Sequence, residues 1–288
     1  MRVLATADLH YEFPEHRERV DALAAEMCRA GGDVLALAGD TFAHDLALLE
    51  RCLRLFEPFH GERLLVAGNH DLWTRQGDSF ALYDRLIPEA ARAYGFHDLD
   101  AGPRVLGDVA FVGTIGWYDY SFRDDRLGVP LRFYEHKVAP GYALHDPAFA
   151  RLVADTADIA PAGLRANSRW MDGAMIRWGF TDPAFNQLTL ERLAAQLAAV
   201  EAQARTVVAV THHIPFPEML QRKHDPTWAF GNAFMGSVGL GQTLVRCPKV
   251  RHAVCGHSHS LERREVGAVR AVNVGCTYRM KRFEVLEV

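Results

Sequence analysis

Five short apolar runs in this chain stop at carboxylates, amides or imidazoles, and that recurrence limits the folds open to it. Val3–Ala7 runs into Asp8-Leu9-His10, and Val34–Ala38 runs into Gly39-Asp40. Arg63–Ala67 leads to Gly68-Asn69-His70-Asp71, Thr206–Val210 to Thr211-His212-His213, and Val250–Cys255 to Gly256-His257-Ser258-His259. Between the first three runs lie helical patterns, with Val20, Leu23 and Met27 ahead of Gly31-Gly32, and then Leu46–Phe56. Strand, helix, strand, helix, strand implies parallel strands whose carboxyl ends share one edge of a sheet. Open α/β sheets place their sites along that edge.

The rest of the chain divides in two. A helix pattern spans Asp78–Tyr94, and Pro103–Gly116 reads as a hairpin turning at Gly107-Asp108. From Trp117 to about Asn186 periodicity weakens, and Pro130, Pro140, Pro147, Pro161 and Pro183 interrupt it. So long a stretch without structure is improbable, so short helices and loops are expected there, forming an inserted cap. Order returns with an expected helix at Gln187–Ala204, a loop carrying Trp228, Phe230 and Phe234, and a helix at Gly236–Arg246. A hairpin around Gly267 (Glu262–Val274) and a last strand at Phe283–Val288 complete the chain. The expectation is one domain over 1–288, with an insertion at about 117–186.

Bulk properties narrow the function. A formal net charge of -4 gives no global basic field toward nucleic acid or anionic membrane. No apolar stretch approaches the ~20 residues of a membrane span, and Val3–Ala7 lacks the length and cleavage pattern of a signal peptide. The five cysteines, Cys28, Cys52, Cys247, Cys255 and Cys276, form no CxxC pair and read as reduced thiols. A cytoplasmic location is expected.

The polar clusters carry the chemistry. Carboxylate, imidazole and amide oxygen make a mixed N/O donor set suited to divalent or trivalent manganese, iron or zinc. On extended chain, residues i and i+2 of D-x-H or H-x-H point the same way, so each triplet can offer two ligands. Glycines before Asp40, Asn69 and His257 are expected to let the chain turn sharply. Taken singly, Asp8 reads equally as a helix cap, His10 as a surface histidine, and His212-His213 as satisfied core histidines. The argument rests on the conjunction of all five.

In that order these motifs resemble the calcineurin-like metallophosphoesterase superfamily, whose signature runs D-x-H, G-D, G-N-H-D/E, a histidine, then G-H-x-H. The resemblance covers about Met1–Gly116 and Gln187 to the C-terminus. It implies an α/β fold, a four-layer α/β/β/α sandwich of the metallo-dependent phosphatase type, here with an inserted cap region. Carried over by position, Asp8, His10 and His259 would hold one metal ion, and Asn69, His212 and His257 a second. Asp40 would bridge the two, and His70 would act as catalytic acid toward the leaving group. His213 would be a neighbouring pocket residue, and Asn273-Val274-Gly275 a supporting turn. Two such ions, about 3.5–4 Å apart, can generate a bridging hydroxide near neutral pH and neutralise phosphoryl charge.

The pattern departs from the protein phosphatases of the superfamily. Where those carry a second aspartate in G-D-x-x-D, orienting the catalytic histidine, this chain has Ala43; Asp45 is the nearest substitute in sequence. Where they carry an arginine before G-N-H-E, it has Ala67. The leading expectation is a hydrolase of phosphomonoesters or small phosphodiesters, nucleotides among them. A nuclease is disfavoured by the acidic balance, and a non-catalytic scaffold by the complete ligand set. Aromatic and cationic residues from Trp117 to Lys137 admit base stacking. Because Asp124, Asp125 and Glu135 are interleaved with them, a small core private to the cap is the preferred reading. Trp228 and Phe230, lying between two ligand motifs, are candidate pocket walls.

Overall fold

The computed structural model describes residues 1–288. In chain order the strands are β1 (Arg2–Thr6), β2 (Val34–Ala38), β3 (Glu62–Val66), β4 (His97–Asp98), β5 (Arg104–Leu106) and β6 (Val109–Thr114). They continue as β7 (Thr206–Thr211), β8 (Val250–Cys255), β9 (Glu262–Val266), β10 (Val269–Asn273) and β11 (Glu284–Glu287). One sheet runs β11-β1-β2-β3-β4 and the other β5-β6-β7-β8-β10-β9. The pairs β1–β2, β2–β3, β6–β7 and β7–β8 are parallel, so the exits of β1, β2, β3, β7 and β8 gather at one end.

Side-chain alternation builds the layers. Val34, Ala36, Ala38, Leu64 and Val66 of the first sheet meet Phe111, Val208, Val210 and Val254 of the second in a buried inter-sheet core. The alternate residues Leu35, Leu37 and Leu65 face outward and pack with Val20, Leu23 and Met27 of the helix Arg17–Ala30. On the far side Ala110, Val207 and Ala209 pack with Leu193 and Leu197 of the helix Asp182–Val200 and with Leu240 and Leu244 of Val238–Arg246. Period-two strands buried on both faces therefore give helix, sheet, sheet, helix, the expected four-layer sandwich.

Differences from the sequence reading are local. The Asp78–Tyr94 helix carries a π-helical stretch, Leu82–Leu86, between α-helical Ser79–Ala81 and Ile87–Ala93. The two-residue β4 is too short to leave a periodic signal. The helix expected at Gln187–Ala204 spans Asp182–Val200, because the Thr181 side chain caps it and Pro183 fits its first turn. Irregular chain therefore ends at Thr181. Short helical turns fill it, among them Leu131–Glu135, Pro140–Ala143 and Asp172–Met175.

Its aromatics do not form a private core. Trp117, Tyr118, Tyr120, Phe133 and Tyr134 are buried in the same apolar cluster as Leu4, Leu9 and Tyr83. Its charges pair locally: Arg123 with Asp125, Arg126 with Asp124, Arg132 with Asp158, and Lys137 with Asp182. Base stacking on these rings is thereby excluded in this conformation. All five cysteines are free thiols. No helix is long and apolar enough to cross a membrane.

Candidate metal centre

The strand exits are not extended chain. Asp8 (φ 52°), His10 (φ 49°), Asp40 (φ 52°), His257 (φ 73°) and His259 (φ 56°) all lie in the left-handed region. The i, i+2 argument for D-x-H and H-x-H therefore fails as stated, and the paired donors converge through two left-handed residues flanking a normal one. Such residues cost about 1–2 kcal/mol each and persist only where neighbours over-determine them. Here the Asp8 and His10 amides donate to the Gly39 and Asp40 carbonyls at 2.9 Å. The His257 amide donates to Asp8 Oδ1 at 2.9 Å, and Lys281 Nζ to the Asp8 carbonyl at 2.6 Å.

The glycines also work differently from expectation. Only Gly39 is left-handed (φ 86°), and a side chain there would strike His212. At Gly68 an added Cβ would lie 2.2 Å from Asp40 Oδ1, and at Gly256 2.6 Å from Asp8 Oδ2. At those two positions the missing side chain makes room for a neighbouring carboxylate.

All seven expected donors converge at one end of the two sheets. Asp8, His10, Asp40 and His259 form one group of ligand atoms, and Asp40, His212 and His257 a second, each within 4.8 Å. Asp40 belongs to both: Oδ2 is 3.7 Å from His10 Nε2, and Oδ1 is 3.3 Å from His212 Nε2. Asn69 Oδ1 joins the second group at 3.1 Å from His212 Nε2. Except for the part-exposed His259, these side chains are buried.

The donor chemistry fits cations. His212 Nδ1 and His257 Nε2 lie 2.9 and 3.1 Å from the Ala38 and Phe234 carbonyl oxygens, which can only accept. In the neutral rings the opposite nitrogens, His212 Nε2 and His257 Nδ1, then carry lone pairs and face each other at 3.1 Å. His10, whose Nδ1 is turned to Glu12, brings its Nε2 to 3.2 Å from His259 Nε2. Lone pairs this close repel unless a proton or cation lies between them. These clusters could hold metal ions.

Charge gives the same reading for three of the four imidazoles, while His212, beside Asp40 and Asp8, favours its proton. Burial pushes the His10, His257 and His259 imidazoles down, His259 to about 4, so they stay in the neutral, ligating form. Burial pushes Asp8 up to about 6. For Asp40 burial is overcome by the His212, His70 and His10 charges, and its carboxyl falls well below the usual range. For His212 burial is likewise overcome, by Asp40 and Asp8, and the ring rises to about 9.

His70 sits beside the clusters. Its ring stacks on Trp73 with centroids 3.6 Å apart and meets His10 edge-on at 4.6 Å. Asp45 does not orient it; that side chain caps the helix Leu46–Arg54 by accepting from the Ala47 amide at 3.0 Å. Glu12 is the carboxylate beside both rings, with Oε1 3.2 Å from His10 Nδ1 and 3.6 Å from His70 Nδ1, the latter too long for a hydrogen bond. Burial opposes a charge on His70, but Asp40, Glu12 and Asp172 outweigh it, and the pKa of the ring is raised.

The sequence motifs gave no role to Glu12, Asp71 or Asp172. Asp71 accepts from the Thr41, Phe42 and Gly68 amides at 2.8, 2.8 and 2.6 Å, tying the two central loops together. Asp172, from the weakly periodic segment, accepts from Asn69 Nδ2 (2.9 Å), Trp73 Nε1 (2.7 Å), Tyr118 OH (2.9 Å) and Trp170 Nε1 (2.8 Å). The bond to Asn69 Nδ2 turns Oδ1 toward the cluster. Glu12 carried one signal, its place two residues beyond the D-x-H motif; Asp172 carried none.

Asn273 behaves as the expected supporting turn, donating to the Gly256 carbonyl at 2.5 Å and accepting from the Gly275 amide at 3.0 Å. His213 is buried between Trp117 and His257, with Nδ1 3.0 Å from the Ile115 carbonyl. A cavity of about 480 Å³ opens on Asp40, Asn69, His70, His257 and His259. Trp228 lines it; Phe230 does not, being fully buried against Tyr134.

No protein of curated function matches the sequence. Among solved structures, phosphopantetheinyl hydrolase (PptH) from Mycobacterium tuberculosis superposes with a TM-score of 0.68 at 20% identity, over 96% of this chain and 89% of that one. A dimetal phosphatase from Danio rerio gives 0.56 at 13% identity, over 99% and 91%. TT1561 of Thermus thermophilus gives 0.52 at 14%, over 99% and 97%. At these identities the likeness shows the fold. The family model of the calcineurin-like phosphoesterases matches residues 1–261. The chain belongs to the calcineurin-like phosphoesterase family.

Proposed function

We propose that this protein is a dinuclear metal-dependent hydrolase of phosphomonoesters or small phosphodiesters. One observation carries the reading: the two oxygens of the buried Asp40 carboxylate face two separate sets of imidazole nitrogens, so one side chain can serve two ions. Asp8, His10 and His259 would complete one set, and Asn69, His212 and His257 the other. The chemistry that two such ions supply when bound is neutralisation of phosphoryl charge and acidification of water.

The chain's own residues do the rest. Glu12 holds His10 by Nδ1 and leaves its Nε2 for ligation, the usual role of a carboxylate behind a ligating histidine. The same carboxylate, with Asp40, favours a protonated His70, which donates to the departing alkoxide oxygen. Asp172 fixes the amide of Asn69, and Trp73 fixes the plane of His70. The cavity beside them is sized for a small ester, which favours it over a polymer.

The test is metal analysis of purified protein with a side-by-side assay of a phosphomonoester, a phosphodiester and single-stranded DNA, each with manganese, iron or zinc. About two ions per chain and turnover of a small ester are expected. A single ion at saturation, or cleavage of DNA alone, would defeat the reading.

A further inference from the structure

The cavity has a composition that ligand binding alone does not require. Its base is the donor cluster; its walls are Trp73, Trp170, Trp228, Met171, Leu220 and Met235. All three indole N–H groups are already used inside the protein. Trp73 and Trp170 donate to Asp172, and Trp228 Nε1 donates to the Gln221 carbonyl at 2.7 Å. What the tryptophans can offer a ligand is therefore ring surface, and only the part left free where Trp73 stacks on His70, Trp170 on Phe234, and Lys223 sits over Trp228. Asn232 also turns inward, its Nδ2 lying 3.3 Å from the same Gln221 carbonyl.

Charge is scarce on these walls. Arg169 is the one lysine or arginine lining the cavity, and its guanidinium carbon lies 5.4 Å over the Phe149 ring, which is not a wall residue. Beyond the donor cluster and His70, the one acidic wall residue is Asp225, whose carboxylate does not favour an anion. A second phosphate finds one guanidinium among the walls, Arg169, and no lysine; Lys223, outside the lining, holds its ammonium 3.3 Å over the Trp228 ring.

We propose that this cavity is the leaving-group subsite for esters with a single phosphate on an uncharged, mainly apolar or aromatic alcohol. The assignment rests on the phosphoesterase reading and narrows it: nucleoside di- and triphosphates and nucleic acid are poor fits, and a flat ring or an alkyl chain seated among the tryptophans is a good one. Asp172 couples the subsite to the cluster, because one carboxylate sets both Asn69 and two of the walls.

The experiment compares ethyl, hexyl and 2-(2-naphthyl)ethyl phosphate, whose alkoxide leaving groups are similar in basicity, and adds ADP. Each buried methylene favours binding by a factor of about four, so kcat/KM should rise at least ~10-fold from ethyl to hexyl, mostly through KM. The naphthyl ester should do at least as well, and ADP should fall below hexyl phosphate. Trp228→Ala should collapse the naphthyl-to-ethyl ratio at least ~5-fold, and Trp228→Phe, which keeps a ring, should restore most of it.

Independently, 2-(2-naphthyl)ethanol titrated into metal-free protein should bind by calorimetry, and at least ~5-fold more weakly to Trp228→Ala. A flat KM across the series with ethyl phosphate turned over, or ADP as the best substrate, would overturn the subsite and leave the phosphoesterase standing. If no ester turns over with any metal, the phosphoesterase reading fails, and the alcohol titration alone decides whether the cavity takes apolar alcohols.

Discussion

Asp40, at the exit of β2, and Asp172, in the segment between β6 and β7, are each 1% exposed and each touches the Gly68–Asp71 loop. Asp172 accepts four hydrogen bonds, all from neutral amide, indole and phenol donors of Asn69, Trp73, Trp170 and Tyr118. Asp40 accepts one from a backbone amide, that of His70, and otherwise faces imidazole nitrogens. A buried carboxylate is costly unless it is paired. Asp172 meets that cost inside the protein and becomes a fixed point. Asp40 relies on the imidazoles around it, beside which a cation could sit, and the strand exits are therefore proposed as a reactive centre with the 117–181 segment as its support.

The contrast can be broken in order of expected effect. Asp40→Asn removes the shared charge; turnover should fall roughly a thousandfold, the several kcal/mol that a two-metal clamp contributes, with loss of at least one ion by metal analysis. Unchanged turnover would erase the distinction between the two aspartates. His70→Ala should keep both ions and lose about 100-fold or more on an alkyl ester, and much less on an aryl ester whose leaving oxygen needs no proton. Equal losses on both esters would remove His70 as the acid.

Asp172→Asn probes the other side. It keeps the shape but offers one acceptor oxygen instead of two, so metal affinity or turnover should drop about 10- to 100-fold while the protein stays folded. Measuring the affinity for the second ion separates a positioning role from a purely structural one, which would lower the melting temperature alone. The smallest effects pair Glu12 with Asp45. Glu12→Gln should cost about tenfold in turnover by loosening His10 and His70. Asp45→Ala should leave turnover intact and cost about 1 kcal/mol of stability as a lost helix cap, read by denaturant titration. The reverse result would return the orienting role to Asp45.

Legibility followed chain distance. Asp8 with His10, Asn69 with His70, and His257 with His259 stand within two residues of each other at the ends of apolar runs, so one reading frame exposes them. The sheets were equally open, because Leu35 and Ala36 or Val208 and Ala209 alternate between two buried faces. Asp172 reaches Asn69 across 103 positions, and nothing near it in the chain marks that contact. Asp45 is near in sequence but caps a helix, whereas the fold brings Glu12 beside His10 and His70. The left-handed conformations at Asp8 and His10 were hidden because no glycine marks them. Trp117 and Tyr118 looked like a separate cap because their segment lacks periodicity, and irregular chain can still fill a shared core.

The five left-handed residues among the donors have an evolutionary consequence. Selection for durability alone would replace Asp8, His10, Asp40, His257 and His259 with glycine or asparagine, which tolerate that backbone at less expense. Every such exchange would relax the chain and discard a carboxylate or imidazole donor, so comfort and competence oppose each other at the same five positions. A screen that rewards heat resistance without rewarding hydrolysis should therefore drift toward inactive survivors, with its first gains at these strand exits.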